Sequence, residues 1–167
     1  MGNLFDFPSV VNEKAARVVA GCVLVLSAIT LATGLYWLAA LMAVGFALRV
    51  GWGPRFSPLA KLATRVIAPR LGDEKLVPGP PKRFAQAIGL TFTTGAAVFG
   101  LSDLTTVADV LLVFMLIATT LESVFAICLG CEVFGLLMRI GLIPERICIE
   151  CANLAARRTK RSNPTTA

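Results

Sequence analysis

Four apolar runs constrain this chain more than any other feature: Ala15–Thr33, Tyr36–Val50, Ala85–Leu101 and Thr106–Cys128. A membrane-spanning helix needs about 20 mostly apolar residues, within a range of about 17–25. The first and fourth runs meet that length. The third is less hydropathic than the fourth but long enough. The second is short, and its Arg49 has to snorkel toward the interface. Only 16% of the 167 residues are charged while 56% are hydrophobic, against about a quarter charged in a soluble domain. Too little polar surface remains to solvate a bundle of this kind in water. The sequence therefore predicts an all-α, integral membrane four-helix bundle. "VAGC" at Val19–Cys22 imitates a lipoprotein cleavage box, but the apolar stretch follows it instead of preceding it, so the first run reads as a retained helix.

Lysine and arginine set the orientation. The turn "GLYW" carries no charge and the turn "SDLT" carries only Asp103, whereas the basic residues gather in Gly51–Phe84 and beyond Arg139, with Lys14 and Arg17 opening the first run. Both termini and the middle loop are thus expected in the cytoplasm, and the chain in a cytoplasmic (inner) membrane. Residues 1–14 form the N-terminal segment and 15–128 the four-span domain. Residues 129–155 form a helical hairpin at the cytoplasmic face, and 156–167 a basic disordered tail beside anionic lipid. In the middle loop, "SPLAKLATRVIAPR" has helical apolar periodicity, with Ser57 as N-cap and Pro58 at the first position. It predicts an interfacial amphipathic helix over about 58–68. The following "VPGPPKRF" is expected to be an extended connector, excluded from helix by its prolines. Small residues at four-residue spacing, Ala39, Ala43, Ala47 and Ala85, Gly89, Thr93, Ala97, read as packing seams. Self-association is left open.

The absence of histidine removes Ser-His-Asp and Cys-His catalysis and the commonest proton shuttle. No glycine-rich phosphate loop, haem motif or nucleic-acid signature is present, and no residue identifies an enzyme class. Chemistry falls to "CLGCEVFGLLMRIGLIPERICIEC", where Cys128 and Cys131 form one C-x-x-C and Cys148 and Cys151 a second. A helix from Thr106 to Ile143 would be about 57 Å long, against a hydrocarbon core of about 30 Å. It has to break, and "CLGC" with Gly130 is the expected place. An interfacial helix "EVFGLLMRIGL" then follows, opened by Cys131, and the chain doubles back to bring the two pairs together. Four readings stay open. The thiols are apolar filler, which suits the lone Cys22 better. They hold zinc or iron as a tetrathiolate. They exchange dithiol for disulfide, or carry sulfur, with a soluble partner at the cytoplasmic face. Or the protein transports a small sulfur compound, with Glu122 in its path. Glu122 lies inside the fourth run, where a carboxylate is a functional candidate by default. It pairs with Arg49, relays a proton to the thiols, or lines a small polar cavity with Thr119 and Thr120. Asp109 reaches the opposite interface.

The pieces "FPSVVNEKAARVVAG", "GPRFSPLAKLATRVIAPRL", "GPPKRFAQAIG" and "LESVFAICLGCEVFGLLMRIGLIPERICIEC" together resemble a bacterial four-span integral-membrane family catalogued as a domain of unknown function, number 4395. The resemblance covers most of Phe7–Cys151 and implies no established activity. It implies companions that are thioredoxin-like or rhodanese-like sulfur-handling proteins, which favours the thiol reading by association.

Overall fold

A computed structural model of the chain describes residues 10–53, 61 and 76–142. They form β1 (Val10–Asn12), α1 (Glu13–Thr33), α2 (Trp37–Trp52), β2 (Leu76–Pro78), α3 (Gly79–Leu101), α4 (Thr105–Phe125) and α5 (Leu129–Arg139). α1, α3 and α4 are each long and apolar enough to cross a membrane; α2 is a shorter apolar helix. The amphipathic helix expected over 58–68 and the second cysteine pair, Cys148 and Cys151, lie outside the described residues.

α1 packs on α2 and α4, and α3 packs on α2, α4 and α5. The centre is small and tightly filled: Val23, Ala39, Met42, Phe46, Ala96, Ala97, Leu112 and Met115. α2 turns Ala39, Met42, Phe46 and Arg49 inward, a helical stripe of spacing three, four, three. The expected seam through Ala43 and Ala47 is therefore displaced; both are only half-buried. On α3 the seam holds at Gly89, Thr93 and Ala97. Gly89 is required there, because a Cβ would fall 2.6 Å from the Phe46 ring. Hydroxyls within the apolar helices need no partner elsewhere. Thr30, Thr93 and Thr119 each donate to the carbonyl four residues back, at 2.7–2.8 Å, which satisfies them in the apolar interior.

The helix ends follow local chemistry. Asn12 leaves β1 and caps α1, its Oδ1 accepting from the Lys14 and Ala15 N–H groups at 2.9 and 3.4 Å, worth about 1 kcal/mol. Gly34 closes α1 in the left-handed region at φ 69°. β1 and β2 pair antiparallel, Val10 with Pro78 and Asn12 with Leu76, and so tie the start of α1 to the start of α3.

"VPGPPKRF" departs from expectation: only Val77 and Pro78 are extended, and helix begins at Gly79. The prolines fall in the first turn, where backbone N–H groups have no intrahelical acceptor to lose. This brings Lys82 into the helix and buries it at 7% exposure.

Candidate functional site

α1 and α3 begin, and α2 and α4 end, at one end of the bundle, and arginines stitch that end together. Arg17 of α1 donates to the Ser123 carbonyl (2.9 and 3.1 Å) and the Val124 carbonyl (3.1 Å) at the end of α4. Arg83 of α3 donates to the Val50 carbonyl of α2 at 3.0 Å. Each cation meets orphan carbonyls at the negative pole of a helix.

α4 stops where the thiols begin, and the cause is Ala126, in the left-handed region at φ 59°. The Ala126 N–H and the Ile127 N–H (3.0 Å) both reach back to the Leu121 carbonyl, around a left-handed position normally filled by glycine. Gly130, expected to be the breaking residue, serves another purpose. A Cβ on it would lie 2.5 Å from the Ala85 Cα, so its bare backbone lets α5 seat on α3. Phe134 beside Phe84, ring centroids 5.6 Å apart, completes that contact.

Cys128, not Cys131, stands at the helix start. Its backbone is extended at φ −96°, and α5 begins at Leu129. The Cys131 and Glu132 N–H groups donate to the Cys128 carbonyl at 2.9 and 3.0 Å. The Cys131 thiol donates to the Cys128 sulfur with Sγ–Sγ 2.7 Å. Both cysteines lie beyond the end of α4 and are free thiols. That hydrogen bond holds the Cys128 thiol below its ordinary value, aided by the Lys82 ammonium and the Cys131 backbone N–H, and opposed by burial and the Glu122 carboxylate. Cys131, donating to its neighbour and buried, is pushed up. The pair is therefore asymmetric: Cys128, at the helix terminus, accepts the hydrogen bond and is held down, while Cys131 donates it and is pushed up.

Lys82 is the residue that sequence reasoning missed. Its Nζ donates to Glu122 Oε1 at 2.5 Å, and it acts electrostatically on both sulfurs. Glu122 is thus paired with Lys82 and not with Arg49. Arg49 is 3% exposed and feels the Glu122 charge, but its guanidinium lies 4.2 Å over the Phe46 ring and its Nε has no hydrogen-bond partner. Thr119 and Thr120 turn their hydroxyls to their own helix and line no polar cavity with Glu122. At the opposite end, the Tyr36 hydroxyl donates to Asp109 Oδ1 at 2.9 Å.

Among the described residues no group of three or more histidine, cysteine, aspartate or glutamate side chains gathers as metal ligands. The structure brings together Cys128, Cys131, Glu122 and Lys82. Two members of any four-thiolate set, Cys148 and Cys151, are outside the described residues. A family model described as "Domain of unknown function (DUF4395)" matches residues 11–139. No curated protein and no solved structure matches the chain.

Proposed function

We infer the function from the site itself, because the chain belongs to the DUF4395 family, a domain whose description names no activity. The reading is a bacterial inner-membrane protein of four spans, both termini cytoplasmic. It exchanges two electrons between the Cys128–Cys131 pair and a soluble thioredoxin-like partner at the cytoplasmic face. The basic middle loop and tail support that orientation, as does the reducing compartment in which unbridged thiols persist.

One observation carries the reading: a C-x-x-C pair at a helix start, with one sulfur favoured as thiolate and the other as its proton donor. The Cys128 thiolate attacks one sulfur of a partner disulfide, forming a mixed disulfide and releasing the partner's other sulfur as thiolate. Cys131 gives its proton to that thiolate and attacks the Cys128 sulfur. The mixed disulfide breaks, the partner leaves with one thiol and one thiolate, the latter taking its proton from water, and the pair is left as a disulfide. In reverse the pair is recharged by a dithiol. We assign onward transfer of the electrons to the second C-x-x-C of the sequence, Cys148 and Cys151. Within the same chemistry, sulfur relay needs only that the Cys128 thiolate take the terminal sulfur of a partner persulfide, leaving the partner as thiolate.

The competing reading is a hairpin clamped by zinc or iron through Cys128, Cys131, Cys148 and Cys151. The ammonium of Lys82 beside the sulfurs favours a metal-free thiolate, since it supplies the positive charge that a metal would otherwise bring. Anaerobic purification followed by metal analysis and thiol counting separates the two. Metal-free protein with four alkylatable thiols on these residues supports exchange; one zinc or iron per chain with those thiols blocked overturns it. Membrane-impermeant maleimide on intact cells tests the orientation: labelling of these cysteines would reverse it.

A further inference from the structure

α5 leaves one face uncovered. Leu129, Val133, Leu136 and Ile140 are 43–60% exposed and recur at spacing four, three, four, within one narrow stripe of the helix surface. The opposite face is occupied: Gly130 and Phe134 lie against Ala85 and Phe84 of α3. Glu132 and Arg139, both exposed and seven residues apart, border the stripe on one side. The stripe does not stand alone. It follows closely in the chain on exposed apolar residues at the end of α4, Val124 and Phe125 at 58 and 63% exposure, across a link of only three residues, Ala126–Cys128, whose Ile127 is 44% exposed.

We propose that this stripe is a lipid-binding surface. α5 lies in the plane of the bilayer interface, with Leu129, Val133, Leu136 and Ile140 in the acyl–headgroup boundary and Glu132 and Arg139 at headgroup level. Two features choose lipid over a protein occupant. The stripe directly follows in the chain a helix long and apolar enough to span a membrane, which itself ends in exposed apolar side chains. The linker is too short to carry α5 away from the end of that span, since three residues reach at most about 11 Å. An amphipathic helix so placed buries its apolar face about 5–10 Å into the boundary. The consequence reaches the thiols. They sit on the first turn of the same helix, facing the bundle, so bilayer anchoring on one side and Gly130 against Ala85 on the other hold them at the membrane surface. A partner must then act there and not in bulk solvent.

The inference rests on bilayer placement but not on the redox reading. Its test is photo-crosslinking of the full chain in phospholipid vesicles, with p-benzoylphenylalanine in place of Leu136, Ile140 or, as reference, Phe114, which is 56% exposed midway along α4. Phospholipid acyl adducts, mapped by mass spectrometry, are expected at all three positions. Adducts at Phe114, with positions 136 and 140 joining instead to a second copy, to another segment of the chain or to nothing, would overturn the interfacial helix while leaving bilayer placement intact. No adduct at Phe114 would remove both.

Discussion

Lys82 on α3 reaches across to Glu122 on α4, Nζ to Oε1 2.5 Å, and the same ammonium acts on Cys128 and Cys131 at the start of α5. Three helices thus share one buried cation. Glu122 and both sulfurs lie within its field.

The first consequence is for reactivity. A thiol held below its ordinary value is ionised at lower pH, and only the thiolate is alkylated. Iodoacetamide modification of reduced protein should therefore reach Cys128 before Cys131, and begin below the range of an ordinary cysteine at about 8.5. Lys82→Met removes the supporting cation and leaves Glu122 facing the sulfur. The rate at neutral pH should fall several-fold and its pH profile move upward. An unchanged profile would mean that Lys82 does not act on the thiolate.

Glu122→Gln leaves Lys82 and Arg49 buried without an acid between them. Removing one partner of a buried pair costs about 3–5 kcal/mol. The expected result is a marked loss of thermal stability in detergent or lipid, partly restored by adding Lys82→Met. If Glu122→Gln is as stable as the parent, the ion pair contributes little to the fold.

Gly130→Val tests how the thiols are seated. Its Cβ would meet the Ala85 backbone, which no rotamer change relieves, and overpacking of this sort costs about 1–3 kcal/mol. α5 should lift from α3, and Cys128 should lose the influence of Lys82. The Cys128 alkylation profile then shifts in the same direction as for Lys82→Met, while Gly135→Ala, where a Cβ meets open space, leaves it unchanged.

The two cysteines should also differ in trapping. With Cys131→Ser in a chain that also carries Cys148→Ser and Cys151→Ser, a disulfide probe such as 5,5′-dithiobis(2-nitrobenzoate) should leave a persistent adduct on Cys128, because no partner thiol of either pair resolves it. With Cys128→Ser, attack through Cys131 should be slow, since that thiol is pushed up and buried. Equal rates for the two variants would remove the division of roles.

The long helices were legible because their apolar length is written in consecutive residues. α3 showed its seam in Gly89, Thr93 and Ala97, and the same stripe extended backward by seven residues from Gly89 lands on Lys82. That extrapolation was blocked by Pro80 and Pro81, which forbid helix in an interior but suit a first turn. Counting Lys82 as a solvated loop charge hid the partner of Glu122. The stop of α4 was harder to read, because a left-handed alanine at 126 has no sequence mark, whereas Gly130 advertises a freedom it uses for close approach. The ribbon of Val10–Asn12 with Leu76–Pro78 escaped notice because three-residue strands far apart in sequence leave no periodic signal.

The most direct measurement is a redox titration of the full chain in lipid, in glutathione buffers of graded ratio, with the Cys128–Cys131 peptide quenched by acid and analysed by mass spectrometry. Exchange chemistry predicts a reversible loss of two hydrogens on that peptide, restored by dithiothreitol. A peptide that stays reduced across the whole range, or that converts only irreversibly to sulfinic or sulfonic acid, would contradict it.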